Sequence, residues 1–428
     1  MRIAPWIAVT AILFACDTSH HSPPVTDDDL SALAEVADGT ADATPVLEQI
    51  LARLVSGSAL VIPPGHYRIV RTLHLPPVDL TVRGSGVFST YLIMDFADGN
   101  GNFLEWHEQG TSPTRAGIEI TDLSLLARSV QTEPNSAALS FSYADANVFT
   151  DTVKVERVRI SPEFTFDYPA GRQFGKFEVG LSFRNVRQGY VGRSWIFGLT
   201  DAAPDVDHMG NVGLLLLDEC TDFRVENSVV FQWKTGIVSQ GTTEGLQLYQ
   251  NSIVFTGIGV AFNGPGEPGF VAANNNLNTG VAGMILQSPI AAVITGNTFF
   301  ANDTTPKLNV NGTYVGIDIR QGFVGSNIPV ESRGNKITSN MFFRDGSIAT
   351  TSRISISGMI LDSRLTTTVV TGNNAEDFDG ALVHLGPQTH HNIIKDNIGQ
   401  RVTAGGTTSS NAVIDQGTNN LVQDNVRF

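Results

Sequence analysis

The sequence of 428 residues is poor in basic side chains, in cysteine and in charge of either sign. Its 27 Lys and Arg face 42 Asp and Glu, giving a net charge of −15, which disfavours a nucleic-acid partner because phosphates would be repelled. Two cysteines are too few for a disulfide framework or a zinc ribbon. Because only 16% of the residues are charged and 41% are apolar, the chain can bury a large core.

Long apolar runs are also scarce, and the first one resembles a targeting signal. Residues 3–15 carry no charge, are too short to span a bilayer as a mature helix and suit a signal-peptide core. They end in LFAC (residues 13–16), which resembles the lipobox of bacterial lipoproteins. The resemblance implies removal of residues 1–15, a lipid on Cys16, and a place on the bacterial cell envelope, at the inner or outer membrane, facing the periplasm or the exterior. An ordinary secretory signal is the alternative. The composition of residues 16–43 predicts a flexible tether.

Glycine and asparagine recur with a period. Eight segments align on a glycine followed by alternating apolar residues, with intervals of 33, 23, 23, 24, 33, 42 and 22 residues; they begin at Gly180, Gly213, Gly236, Gly259, Gly283, Gly316, Gly358 and Gly380. A second signature, Asn-x-x-Phe or a relative, follows most of them; it begins at Asn227, Asn251, Asn297, Asn340 and Asn425, with weaker copies at Asn275, Asn373 and Asn397. Such a period is typical of a solenoid.

Each repeat contains two or three short runs of alternating apolar residues between turn residues, and none has a useful helical period. This pattern predicts an all-β fold, a right-handed parallel β-helix in which neighbouring rungs lie about 4.8 Å apart. Stacked Asn amides would bond to the backbone and to each other at the turns. We expect Phe231, Phe255, Phe300 and Phe343 in the core, and Cys220 as a small buried residue.

The N-terminal part of the repeat region predicts a cap. Thr44-Pro45 is typical of a helix start, apolar residues share one face over 46–55, and Gly57 would end the helix. We therefore expect a capping helix at about 44–57 and a single β-helix domain over 44–428. The stretches ADGTADATPVLEQIL, ALVIPPGHYRIVRTLHL and LTVRGSG resemble the start of the pectate-lyase-like superfamily, which includes tailspikes, polysaccharide lyases and glycoside hydrolases. The resemblance implies the β-helix fold and leaves the reaction open.

Outward positions supply the candidate binding residues. If the first and third residues after each aligned glycine point inward, the fourth points outward. The fourth positions form a polar line suited to a chain of sugar hydroxyls: Arg184, Gln240, Asn263, Gln287, Arg320, Asp362 and His384, interrupted by Leu217. An ordinary wet surface is the alternative.

One cluster within this line has the residue types that acid–base catalysis requires. Asp318 and Arg320 leave one rung, Asp362 and Arg364 the next, and His384 the one after. One rung and two residues separate Asp318 from Asp362, which is about 8 Å between backbone positions. An inverting glycosidase requires roughly 6.5–9.5 Å between its two carboxyl groups. Asp318, Asp362, Arg320 and His384 are the predicted catalytic residues. The predicted substrate-binding residues are Arg184, Gln240, Asn263, Gln287 and Arg364. A structural ion-pair cluster of the two aspartates with Arg320 and Arg364 is the alternative.

A lyase reaction on the same surface and two further candidate patches are the alternatives. In a lyase, an arginine or Ca²⁺ held by Asp318 and Asp362 would neutralise the uronate carboxylate. No metal ligand is assigned otherwise. The loop Asp205-Val206-Asp207-His208 is a second candidate patch, and Glu105-Trp106-His107-Glu108 offers an aromatic platform with two carboxylates.

The motifs NTD, GHG and RIK of polygalacturonases, WIDH of pectate lyases and DPHD of mannuronan epimerases are not found in the sequence. No catalytic residue is therefore transferred from these families. We expect a lipid-anchored polysaccharide hydrolase first, a uronate lyase second, and a non-catalytic binding or scaffold protein third. The expected partners are a polysaccharide, and the membrane through the lipid alone, with no nucleic acid.

Overall fold

The chain winds into a right-handed parallel β-helix, as the repeats predict. The computed structural model describes residues 26–108, 116–144, 152–163, 175–199, 208–264, 266–302, 308, 312–324, 328–345, 355–362, 364–376, 381–400 and 412–427. Three parallel sheets, named A, B and C, run along the solenoid, and each rung contributes a strand to each. The strands β8 (Ile118–Ala127) and β10 (Val153–Pro162) turn the corner from sheet B to sheet C. The strands β19 (Ser252–Phe262) and β21 (Asn276–Gln287) turn from sheet C to sheet A.

The remaining strands keep to one sheet. Sheet A contains β4 (Leu73–Leu75), β7 (Leu104–Glu108), β9 (Ala137–Tyr143), β11 (Val179–Arg184), β14 (Gly210–Asp218), β17 (Trp233–Gly241), β24 (Thr313–Arg320), β30 (Ser355–Asp362), β34 (Val383–Leu385) and β37 (Val413–Asp415). Sheet B contains β2 (Ser58–Ile62), β5 (Leu80–Gly84), β12 (Gly189–Gly192), β15 (Arg224–Glu226), β18 (Gln247–Tyr249), β20 (Val271–Ala273), β22 (Val293–Thr295), β28 (Lys336–Thr338), β32 (Val369–Thr371), β35 (Ile393–Lys395) and β38 (Leu421–Gln423). Sheet C contains β1 (Asp38–Asp42), β3 (Gly65–Ile69), β6 (Thr90–Met94), β13 (Trp195–Phe197), β16 (Val229–Phe231), β23 (Thr298–Asn302), β29 (Met341–Asp345), β33 (Asn374–Glu376), β36 (Ile398–Gln400) and β39 (Val426–Arg427).

Two small elements lie outside these sheets. The strands β25 (Gly322–Val324) and β26 (Ile328–Val330) form an antiparallel hairpin beside sheet A. The strands β27 (Ser332–Arg333) and β31 (Leu365–Thr366) pair in parallel. The hairpin falls in a stretch where the repeat interval is long, so the extra residues form a projection while the rungs stay in register.

The aligned positions require glycine because the backbones of neighbouring rungs approach closely there. In seven rungs, from Gly180 to Gly358, a Cβ would lie within 2.7 Å of a carbonyl oxygen of the following rung. At Gly236 the added atom would lie 2.6 Å from Ile253 Cγ2 and 2.7 Å from the Gly259 oxygen. The predicted inward residues that follow are buried, including Leu181, Phe183, Ile317 and Ile319 at 0% exposure. The register predicted for sheet A is thereby confirmed up to Gly358.

A ladder of buried asparagines runs along the turn between sheets B and C. The Asn275 side chain is typical: its Nδ2 donates to the Leu248 carbonyl and to Asn297 Oδ1 at 2.9 Å, and its Oδ1 accepts from both nitrogens of Asn251 at 3.0 Å. The same pattern links Asn251, Asn275, Asn297, Asn340, Asn373, Asn397 and Asn425. A turn amide thus satisfies donors and acceptors on both neighbouring rungs.

Two predictions about this signature are wrong in detail. Asn227 is exposed with φ of 50°, and the next residue, Ser228, occupies the ladder by accepting from Ser194 N and donating to the Glu226 carbonyl. The predicted core positions Phe231, Phe255, Phe300 and Phe343 are only partly buried. They stack outside the sheet, with centroids of 5.5 Å between Phe300 and Phe343, because their side chains alternate with inward neighbours such as Phe299 and Phe342.

The N-terminal cap includes more residues than the sequence predicts. The helix α2 (Thr44–Leu51) covers the solenoid end and buries Leu47, Ile50 and Leu51, but it ends before Gly57 and its N-cap residue is Ala43. The predicted tether of residues 16–43 is folded in its second part, where the helix α1 (Asp27–Glu35) precedes β1. Thr26 and Asp29 form a capping box, and Leu33 is fully buried, which holds this segment on the cap.

Residues 1–25, with the predicted signal and Cys16, lie outside the described part of the chain. Within the described part, no helix is long and apolar enough to cross a membrane.

Burial inside the solenoid raises the pKa of two ionisable side chains, Cys220 and Glu267. Cys220 is fully buried, as predicted, and burial raises the pKa of its thiol to about 12. Glu267 is 2% exposed, and the Ser239 hydroxyl donates to its Oε1 at 2.7 Å. Burial raises the pKa of Glu267 to about 8, so its carboxyl group is neutral at neutral pH.

The ladder gives a graded prediction for two adjacent residues. Asn275→Ala should lower the free energy of unfolding by several kcal/mol, since about 1–3 kcal/mol is lost for each buried group left unpaired. Asn276→Ala, at an exposed neighbouring position, should change it by less than about 0.5 kcal/mol. Equilibrium denaturation of the two variants measures the difference. Equal losses would contradict the ladder.

Glu267 predicts a pH-dependent stability. The folded protein keeps this proton up to about pH 8, whereas the free side chain has an ordinary pKa of 4.5. The contribution of the protonated Glu267 to the free energy of unfolding is therefore present at pH 4.5. It falls by about 1.4 kcal/mol per pH unit as the pH rises towards the pKa of the folded protein. Glu267→Gln should remove this fall, so its stability relative to the parent should grow between pH 5 and pH 8 in denaturation curves. The exposed Glu244→Gln is the control, and parallel pH profiles for parent and Glu267→Gln would refute the assignment.

Candidate active site

The outward side chains of sheet A form two columns, each with one residue per rung. The first column runs through Glu105, Ser140, Ser182, Leu215, Val238, Ala261, Ile285, Asp318, Ile360 and His384. The second, two residues further along each strand, contains Ser142, Arg184, Leu217 and Gln240, and later Gln287, Arg320 and Asp362. An apolar belt, Leu215 to Ile285, separates two polar regions of the first column.

Asp318 lies in the polar region towards the C-terminal end and is only 8% exposed. Its Oδ2 accepts hydrogen bonds from Arg320 Nε and Nη2, each at 2.7 Å. Burial raises the pKa of Asp318, the Arg320 guanidinium partly offsets this, and the negative charge of Asp362 raises it further. The balance favours a carboxyl group that retains its proton more readily than an exposed aspartate.

Asp362 is the exposed member of the pair. It lies directly opposite Arg320 in the register, so it is one rung and two residues from Asp318, as predicted, or about 8 Å between backbone positions. Gly386 makes room for its carboxylate, because a Cβ at residue 386 would lie 2.1 Å from Asp362 Oδ1. Gly386 belongs to none of the sequence motifs. Its position beside Asp362 can be recognised only once the strands are in register.

His384 joins the cluster from a different position than predicted. It pairs with Ile360, so it belongs to the column of Asp318 and not to that of Asp362. The prediction was two residues out of register because it aligned the last repeat on Gly380, which lies outside the described residues, whereas Leu382 takes the place of the aligned glycine. His384 is therefore two rungs from Asp318, about 9.6 Å between backbone positions. Its Nε2 is buried and has no hydrogen-bond partner among the described residues.

The structure distributes the predicted binding residues over both polar regions. Gln287 adjoins Arg320 in the register. Arg364 is exposed two residues after Asp362 and makes no ion pair to a described residue. Asn263 follows β19 at an exposed position. Arg184 and Gln240 lie far from Asp318: Arg184 pairs with Asp218 at 2.6 Å, five rungs before Arg320 in the second column.

Arg184 and Gln240 line a separate groove of about 610 Å³ in the N-terminal half of sheet A. Glu105, His107, Ser142 and Asp218 are also in its wall, and His107 Nδ1 lies 2.5 Å from the Ser142 hydroxyl. The predicted aromatic platform at residues 105–108 is wrong, since Trp106 is fully buried in the core and Glu108 is 6% exposed. Alternation along β7 leaves Glu105 and His107 on the outer face.

The hairpin β25–β26 stands next to the cluster. It starts two residues after Arg320, and Phe323, Val324 and Ile328 are each at least half exposed. Gln321 anchors its base through Nε2 to the Gly322 and Val330 carbonyls, and its Oε1 accepts from Arg364 N at 3.2 Å. The hairpin therefore forms a wall beside the cluster.

Metal chemistry has little support in the geometry. Among the residues that the structure describes, no three His, Cys, Asp or Glu side chains form a group able to hold a metal ion. Asp318, the predicted Ca²⁺ ligand, directs one oxygen to Arg320. Of the alternative loop, Asp205 and Asp207 lie outside the described residues, and His208 is exposed.

Comparison with protein-family profiles and with curated protein sequences gives no match. Solved structures do resemble the chain. The A-module of a mannuronan C-5 epimerase from Azotobacter vinelandii is 14% identical with a TM-score of 0.63, over 92% of this chain and 98% of that one. A GH87 α-1,3-glucanase catalytic unit from Streptomyces thermodiastaticus is 14% identical with a TM-score of 0.57, over 92% and 68%. A DFA-IIIase from Arthrobacter chlorophenolicus, in complex with DFA-III, is 13% identical with a TM-score of 0.60, over 90% and 96%. At these identities the likeness establishes the β-helix fold.

Proposed function

We propose that this protein is an envelope-anchored polysaccharide hydrolase that cleaves glycosidic bonds on sheet A. The observation that carries the proposal is the pair of carboxyl groups one rung apart in opposite environments: Asp318 buried with a raised pKa, and Asp362 exposed. Glycoside hydrolysis by inversion needs one protonated acid and one ionised base with a water between them. The structural neighbours named above act on mannuronan, α-1,3-glucan and DFA-III, which supports a carbohydrate substrate.

In this proposal Asp318 protonates the leaving oxygen and Asp362 accepts a proton from the attacking water. Arg320 keeps the Asp318 carboxyl oriented through its two hydrogen bonds. His384, in the Asp318 column, lies where it can bond to the sugar next to the cleaved linkage. The two backbone positions are about 8 Å apart. Inverting enzymes hold their carboxyl groups about 6.5–9.5 Å apart and retaining enzymes about 5–5.5 Å apart, so this backbone spacing supports inversion.

A uronate lyase is the second candidate, because Arg320 is 57% exposed and could neutralise a uronate carboxylate. The hydrolase is favoured because Arg320 is already engaged by Asp318. A non-catalytic scaffold is the third candidate.

Substitution of the carboxyl pair tests the reaction. Asp318→Asn and Asp362→Asn should each lower kcat on a cleaved polysaccharide by about 10²–10⁴-fold, since an amide keeps the shape and loses the proton transfer. Asp122→Asn is the matched control, because Asp122 also bonds an arginine, Arg157, but at the corner between sheets B and C. It should keep full turnover.

The products separate the three candidates. A new reducing end without ultraviolet absorbance from an unsaturated uronate indicates hydrolysis, absorbance indicates elimination, and binding without cleavage indicates a scaffold. Full activity in both Asp variants would place the catalytic centre elsewhere, and the groove at Glu105 and Arg184 would be the next candidate.

The anchor is tested independently of the chemistry. Cys16→Ser should prevent lipid attachment and move the protein from the detergent-soluble membrane fraction to the soluble fraction, because the predicted lipid is the anchor. Fractionation followed by detection of a metabolically incorporated fatty acid measures both effects. A Cys16→Ser protein that still requires detergent and still carries lipid would contradict the assignment.

A further inference from the structure

An aromatic surface lies on sheet C, away from the two columns of sheet A. Phe88 is 60% exposed and Trp195 is 37% exposed, and their rings are in contact with centroids 5.4 Å apart. Of the Phe and Trp side chains that the structure describes, three are exposed by more than a third, and two of them meet here. Contiguous exposed apolar surface can mark a binding site, and aromatic rings contribute much of the contact energy at such sites.

The register explains how the rings come together. Tyr91, Ser124, Arg159 and Trp195 occupy one outward column on successive rungs. Ser124 is the small member, and Phe88 lies beside its rung, with the Arg159 guanidinium 6.0 Å from the Phe88 ring centroid. From Tyr91 to Trp195 the column spans three rung intervals, about 14 Å. Beyond Trp195 the next residues of the column are Val229, Ser252, Asn276 and Thr298, so this column has no further aromatic residue on those rungs.

The turn that carries Phe88 is held in place by its backbone. The Ser124 hydroxyl donates to the Val87 carbonyl, Gly86 N donates to the Asp122 carbonyl at 2.9 Å, and Ser89 N donates to the Gly86 carbonyl at 2.9 Å. A fixed turn presents the Phe88 ring without a large entropy cost on binding. The ring is therefore preorganised although it faces solvent.

We propose that Phe88, Arg159 and Trp195 form a carbohydrate-binding ledge that holds a stretch of the polysaccharide on which sheet A acts. The proposal rests on the proposed function for the identity of the sugar. The C–H face of a sugar ring presents weak positive charge to the negative face of an aromatic ring, and a guanidinium supplies donors to hydroxyl or carboxylate oxygens. The ledge has three residues, whereas a specific protein interface takes about 20–30 residues on each side.

Binding is measured first without turnover, in an Asp318→Asn background. Mannuronan, α-1,3-glucan and DFA-III are the probes, the two polymers embedded in native gels or presented as pull-down matrices and DFA-III in solution. Phe88→Ala and Trp195→Ala should each weaken binding of the recognised probe at least about tenfold. Met341→Ala is the matched control, because Met341 is 41% exposed in the same column five rungs beyond Trp195 and has no aromatic neighbour in this ledge. It should bind as the parent does.

Tryptophan fluorescence supplies a readout that does not depend on activity. Trp106 and Trp233 are fully buried, and Trp6 is replaced by Phe for this measurement, so Trp195 reports the ledge. The recognised sugar should protect Trp195 from acrylamide quenching, and Trp195→Phe should lose this signal while keeping binding. Unchanged thermal unfolding of Phe88→Ala and Trp195→Ala shows that the fold is intact.

The outcomes separate this proposal from the proposed function. Phe88→Ala and Trp195→Ala proteins that bind every probe like the parent overturn the ledge, whether or not cleavage occurs. A parent dimer that Trp195→Ala dissociates in sedimentation also overturns it, since the occupant would be a second copy. Loss of binding in these variants, with Asp318 and Asp362 variants still fully active, supports the ledge while the proposed catalytic pair fails.

Discussion

The fixed spacing between hydrogen-bonded rungs is the constraint on which the rest of the structure depends. At about 4.8 Å per rung, every turn must place its backbone directly over the previous one. This leaves no space for a Cβ at Gly236 or its equivalents, and it brings the Asn275 amide within reach of the rungs before and after it. The interior is therefore repetitive because the same packing problem recurs at each turn.

The same spacing converts sequence distance into lateral distance on sheet A. Asp318 and Asp362 are 44 residues apart in the chain and yet one rung apart in space, because extra residues between them, among them the hairpin β25–β26, stand outside the rung register. Their different environments follow from position: Asp318 lies in the first column beside Arg320, and Asp362 extends over Gly386 at the outer edge. A uniform scaffold thus places one carboxyl group in a drier environment than the other, and burial raises the pKa of the drier one, Asp318.

The sequence predicts the fold well because the constraint is periodic, and it predicts details less well where the period fails. The glycine register was right through Gly358 but wrong for His384, because Leu382 stands where the aligned glycine was expected. Ser228 replaces an asparagine in the ladder, which a search for Asn could not find. The sequence predicts Phe300 and Phe343 in the core because each follows another phenylalanine and both members of the pair are apolar. Only the alternation along the strand shows which member points inward. Folding of residues 26–42 depends on the cap that they contact, which has no periodic signal.

On such a scaffold, an acid side chain can react with a substrate only if it lies on the outer face, where the side chains differ from rung to rung. Burial inside the solenoid neutralises even a carboxyl group, as at Glu267, so interior acids have no access to substrate or to bulk water. Acids that form ion pairs on the exposed face of a sheet, such as Asp218 with Arg184, stay in contact with water. Asp318 is intermediate: it points outward but is shielded by its neighbours, which raises its pKa without removing it from the surface. An outward carboxyl group with a raised pKa, one rung from a second and exposed carboxyl group, fits the acid–base roles proposed for Asp318 and Asp362.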